Sequence, residues 1–252
     1  MAWSLAERGA FDAAIAHGQE GISLAESVQH AFSLSVGCHF LGYIYVLRGD
    51  LRKAIPLIER ALAVARDWTL TWFSPYITAA LGYVYALSSR GAEGLALLQD
   101  ALAALESLGF RFYGSISLAQ LGEAYLLAGK SGEALPVAER GLTLARQRGE
   151  RGHEAWALRF LGEIGAQQDP PDVAKAESHY REAMALAEEL GMRPLLAHCH
   201  LGLGTLYTKI GREDQARAEL SIAIDLYRAM EMVFWLTRAE SGMAQLGRST
   251  QL

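Results

Sequence analysis

The side chains with the most chemical character fall at three places. His198, Cys199 and His200 have the composition of a metal-ligand cluster. Neighbours one or two apart on a helix point to different faces, and Cys38 is too far upstream to supply zinc-site spacing. Glu188 and Glu189 are paired carboxylates inside a charged stretch, which reads as a solvated surface. Gly152, His153 and Glu154 resemble part of a triad but fall in a connection between periodic segments. Phosphate loops, nucleophile elbows and His-Glu-x-x-His helices are absent from the sequence. The expectation is a protein that is not an enzyme, with no metal and no cofactor.

Composition narrows the class. The chain has 252 residues, 51% of them hydrophobic, with 23 basic and 28 acidic side chains. That is too apolar for disorder, long enough for a sizeable core, and too acidic for a nucleic-acid stripe. Two cysteines cannot make a disulfide framework, and the first residues lack a signal peptide's basic flank and apolar core. A cytoplasmic location is expected. Residues 68–89 carry no formal charge, 22 positions in a row and long enough for a membrane span. Thr69, Thr71, Ser74 and Pro75 interrupt the run, and a similar run lies one fixed interval upstream, so a buried inner helix is the better reading.

That interval is the strongest signal in the sequence. Leu-Gly recurs at 41–42, 81–82, 121–122, 161–162 and 201–202, a spacing of 40 each time. Small residues keep phase in the stretches that follow, at Ala14, Ala54, Gly94, Ala134, Ala176 and Ala216, and at Gly21, Ala61, Ala101, Gly141, Ala183 and Ala223. Mid-helix Gly costs about 1 kcal/mol against Ala, so five in phase point to helices packed too closely for side-chain bulk. Tyr45, Tyr85 and Tyr125 are the expected large partners of that contact. Gly49, Gly91, Gly129 and Gly211 fit helix ends, and Asp50 and Ser131 fit N-caps.

Leu-Gly-x-x-Tyr followed by two alanines seven apart resembles the tetratricopeptide repeat. The likeness runs along essentially the whole chain, with a 40-residue unit in place of 34 and the usual early Trp replaced by Cys38, Thr78, Leu118, Leu158 and His198. Residues 190–207 and 227–236 further resemble the helical repeats at the C-terminal end of bacterial multidomain cyclase, ATPase or transcriptional-regulator signalling proteins. The fold class that follows is all-α, a right-handed solenoid of antiparallel helix pairs. One repeat domain is expected over 1–247, with a partial repeat near 1–30, repeats at 31–70, 71–110, 111–150, 151–190 and 191–232, a terminal helix at 233–247 and a frayed tail at 248–252.

The resemblance implies that first helices line a concave face. By phase that face presents His39, Tyr43, Tyr76, Tyr83, Ile116, Glu123, Trp156, Arg159 and Glu163, with Trp72 near the rim. Its N-terminal half is aromatic and uncharged, which suits a protein or peptide segment, and Tyr43 and Tyr83 are expected to be open in the groove. Arg159 and Glu163, four apart, read as a local ion pair. The Lys and Asn of a chaperone carboxylate clamp are missing at the corresponding positions.

Both ends break the pattern. By phase Met1 falls inside a first helix, about three turns late. Phe234, Trp235 and Leu236 lie on a helix without a successor, so self-association through open ends, as a homodimer, is expected. The leading function is a non-catalytic interaction scaffold that binds a protein segment, with no nucleic acid and no membrane as partner. A structural or dimerising module of a larger signalling protein and a small-ligand sensor using the aromatic groove remain as alternatives.

Overall fold

The computed structural model describes residues 1–109 and 112–249, and these form thirteen helices. In order they are α1 Ala2–Glu7, α2 Phe11–Ser27, α3 Ala31–Arg48, α4 Leu51–Asp67, α5 Ser74–Ala86, α6 Gly91–Ser107 and α7 Gly114–Leu127. There follow α8 Ser131–Arg148, α9 Arg151–Gln167, α10 Val173–Leu190, α11 Arg193–Lys209, α12 Glu213–Ala229 and α13 Val233–Ser249. Consecutive helices pair and the pairs stack, as expected for a solenoid. Helices α3, α5, α7, α9 and α11 are inner ones with apolar residues nearly all round, and their partners show charged outer faces. The uncharged run at 68–89 is divided between the α4–α5 turn and the 13-residue α5. Among the described residues no helix is long and apolar enough to cross a membrane.

Gly42, Gly82, Gly122 and Gly162 sit where paired helices cross, while Gly202 on α11 meets the outer helix of the preceding pair. A Cβ on Gly82 would lie 2.8 Å from the Leu98 amide nitrogen and 2.9 Å from the Gly94 carbonyl oxygen. Gly122 would meet the Ala138 Cβ at 2.9 Å. Gly42 faces Ala54 and Ile58, while Gly162 and Gly202 both close on the fully buried ring of Tyr180. The repeating tyrosines, however, do not fill this contact. Tyr85 reaches Glu59 and Tyr125 meets Gln99, each 26 residues back on the outer helix of the preceding pair. Their phenols therefore join one pair to the next. Gly21 touches nothing within 4 Å, because the short α1 does not reach it.

Helix ends differ in detail from the expected ones. Gly49, Gly129 and Gly211 take left-handed conformations at the turns, whereas Gly91 opens α6. Asp50 is the N-cap residue of α4, yet its carboxylate turns to Lys53 at 3.1 Å, and Lys130 rather than Ser131 precedes α8. Helix α13 continues through Ser249, so the expected tail from 248 begins in helix, and residues 250–252 lie outside the described residues.

The array bends until its last helices meet its first. At the α3–α4 turn a Cβ on Gly49 would lie 2.9 Å from the Phe234 Cβ and 3.0 Å from Trp235 Nε1. Gly49 is needed there twice over, for its φ of +90° and for this close approach. Beside it Arg48 Nη2 donates to Glu231 Oε2 at 3.0 Å. Gly9, between α1 and α2, packs on Met230, and α1 lies inside the curve against α3 and α11. The concave face is thereby narrowed into a lumen that stays open at its edges.

Candidate functional site

All nine concave residues expected from phase line cavities of this lumen, but the lumen is not an open groove. Its middle is filled by Tyr43, Tyr83, Trp156, Phe160, His198 and Trp235, which leave a void of only about 20 Å³. Tyr83, expected to be open, is 7% exposed and donates its hydroxyl to Glu123 Oε2 at 2.5 Å. Tyr43 is half-buried and accepts from the Gln120 amide across the lumen. The physical reason is closure: each inner helix is covered by its neighbours and by the helices opposite.

Arg159 keeps its expected local ion pair with Glu163 and adds a closer one. Its Nη1 donates to Glu123 Oε1 at 2.6 Å, on the preceding pair, while Glu163 is 3.8 Å away and accepts from Tyr180 at 3.0 Å. Both Arg159 and Glu123 are buried. Burial alone would lower the Arg159 pKa, but the Glu123 and Glu163 carboxylates outweigh it and hold the pKa above its ordinary value. Glu123, Arg159 and Glu163 line a second cavity of about 840 Å³ on the far side of the plug.

The expected self-association patch is not presented either. Trp235 is 8% exposed, packs edge-on against His198 at 4.6 Å between ring centres, and lies under the Arg238 guanidinium. Phe234 and Leu236 are partly buried against the same core. These residues close the chain on itself instead of leaving an end open. Among the ligand-like triplet, His198 lies 2.8 Å from the Tyr227 hydroxyl, Cys199 is fully buried with its thiol pushed up to about 12 by desolvation, and His200 pairs with Glu219 at 2.6 Å. The three side chains go to three different places.

On the near side of the plug lies a cavity of about 450 Å³. His39, Tyr43, Tyr76, Ile116 and Trp156 line it, as phase implied. Phase missed Trp3, Glu7, Phe40, Tyr113 and Gln120. Trp3 packs on Tyr43 with ring centres 4.9 Å apart, and Phe40 on Tyr113 at 6.0 Å. Trp72, expected near the rim, is exposed and packs at a tilt on Phe32 and Phe73. Two polar groups stand out, the buried His39 and the half-buried Glu7. Desolvation lowers His39 to about 4, so its imidazole is neutral near pH 7, and its Nδ1 has no hydrogen-bond partner. Desolvation also raises the Glu7 carboxyl to about 7, opposed by the Trp156 indole N–H, which donates at 3.4 Å.

A test of that environment follows from linkage. A carboxyl whose pKa is raised in the folded state loses stability as pH rises from its unfolded value near 4.5 to about 7. Glu7→Gln keeps an acceptor for Trp156 and removes the charge. The variant should melt above the wild type at pH 8 and with it at pH 4.5. Equal melting at pH 8 would mean that the Glu7 carboxylate is well solvated.

Helix pairing, close glycine crossings and a curved inner face place the chain among tetratricopeptide-like solenoids. Residues 38–67 and 117–152 match the tetratricopeptide repeat family model. The chain is similar in structure to BtubC from P. vanneervenii, with a TM-score of 0.59, 19% identity, and coverage of 88% of this chain and 92% of that one. It is also similar to a signal transduction ATPase with numerous domains, carrying a tetratricopeptide repeat sensor, from Pyrococcus horikoshii. There the TM-score is 0.58 and the identity 21%, over 83% of this chain and 32% of the other, so this chain spans about a third of that protein. No curated protein matched the sequence.

Proposed function

We propose that the chain is a non-catalytic recognition module whose ligand occupies the aromatic cavity at the N-terminal half of the lumen. One observation carries this reading: the chain curls over its own concave face and leaves there a 450 Å³ space with aromatic walls and a carboxyl, Glu7, that has no ion-pair partner among the described residues. Cavities of roughly 300–1,000 Å³ with apolar walls and a few fixed polar groups suit small molecules. A long peptide laid along the whole inner face meets the plug at Tyr83 and Trp235. A sensor role, of the kind named for the repeats of the Pyrococcus ATPase, fits a pocket better than it fits a docking groove. Both cysteines are free and buried, and we include a cytoplasmic setting and a place in signalling in the proposal.

A thermal-shift screen with small apolar-bodied molecules and short peptides tests it. Ser4 is exposed at the cavity's edge, so Ser4→Trp adds bulk to the opening without disturbing the core. Ligands that raise the melting temperature should lose their effect in Ser4→Trp. Hits indifferent to that change would move the site elsewhere, and a screen without hits would overturn the reading.

A further inference from the structure

We infer that this cavity takes a primary ammonium group borne on an apolar body, with Glu7 as its counter-ion. The inference deepens the recognition role proposed above and rests on it. Glu7 projects from α1 into the cavity wall, where the Trp156 indole N–H donates to it at 3.4 Å and Tyr43 shares the lining. It forms no ion pair with any described residue. A half-buried carboxylate that faces aromatic walls with no cation beside it is poorly compensated, and a bound cation offsets that cost.

The other charged groups of the cavity are already engaged or stand outside it. Both guanidinium ends of Arg151 are held by the two oxygens of Glu189. Glu150 accepts from Ser115 and lies 3.2 Å from His153. Arg8 is exposed at the rim. The interior charge left uncompensated is therefore negative. Aromatic faces attract cations through their quadrupoles, and Trp3, Tyr43, Tyr76 and Tyr113 supply such rings. A primary ammonium brings three N–H donors, which suits a carboxylate and leaves donors for the hydroxyl and amide oxygens of the same lining, such as Tyr43 and Gln120. The volume exceeds what one ammonium fills, so an apolar body of aromatic size belongs beside it.

Three probes with one body and different charge decide the matter: 2-phenylethylammonium, 2-phenylethanol and phenylacetate, titrated calorimetrically at pH 8. The ammonium should bind roughly tenfold or more tighter than the alcohol, with the carboxylate weakest. Glu7→Gln, checked for its fold by circular dichroism, should bring the ammonium's affinity down to the alcohol's. Equal affinity of ammonium and alcohol for the wild type, or tightest binding by phenylacetate, would overturn the inference and leave the recognition cavity standing. So would failure of all three probes while other Ser4→Trp-sensitive ligands bind. Failure of all three with an empty screen would remove both.

Discussion

Gly94→Ala should destabilise the chain by about 2–3 kcal/mol, although alanine is the better helix former by about 1 kcal/mol. Gly94 lies on α6 where it crosses α5, opposite Gly82. An added Cβ would run into the Ala86 amide nitrogen and stand 2.5 Å from the Gly82 carbonyl oxygen and 2.8 Å from the Tyr85 carbonyl carbon. These are backbone atoms, so no side chain can swing away, and the two helices must separate along their length. Separation would also pull Tyr85 from Glu59 and loosen the next pair. Gly21→Ala provides the contrast. That position is mid-helix, exposed and free of neighbours, so alanine there should stabilise by up to about 1 kcal/mol. Urea unfolding followed by circular dichroism measures both. A neutral Gly94→Ala would show that α5 and α6 have room to part.

The fold was legible in the sequence because close helix approach leaves a mark that survives in one chain. Glycine is costly in mid-helix, so Gly42, Gly82, Gly122, Gly162 and Gly202 at intervals of 40 indicate that each meets something. The inner-face residues were legible for the same reason, since phase transfers from one pair to the next. Closure was not. It is the sum of small rotations between pairs, and no single residue carries it. Trp235 therefore read as an exposed end, and α1, with Trp3 and Glu7, read as a fragment instead of a wall of the cavity. The closer partner of Arg159, Glu123, was missed although its signal was present. Tyr83, Glu123 and Glu163 stand at intervals of 40, so stacking aligns them, and Arg159 lies one turn from the last. Reading i, i+4 contacts within one helix hid the contact between helices.

Arg159→Met should be among the most damaging single changes in the lumen, costing about 3–5 kcal/mol. Four helices converge on this group. Tyr83 from α5 and Arg159 from α9 both bond Glu123 on α7, and Tyr180 from α10 holds Glu163 beside them. Exposure of Glu123 is only 6%. Removing the guanidinium leaves its carboxylate with the Tyr83 hydroxyl and no cation, and an unpaired buried charge is worth more than the pair itself contributes. The double variant Arg159→Met/Glu123→Gln separates these terms. The glutamine amide is neutral and its oxygen can still accept from Tyr83, while methionine restores most of the arginine's apolar volume against Phe160. The double variant should recover more than half of the stability lost by the single one, because what the single change exposes is the cost of a stranded charge. Recovery would leave the ion pair as a device that fixes how α7 and α9 meet, with little net stabilisation of its own. Equal loss in both variants would instead mean that the pair stabilises directly, and that the curvature enclosing the cavity depends on it.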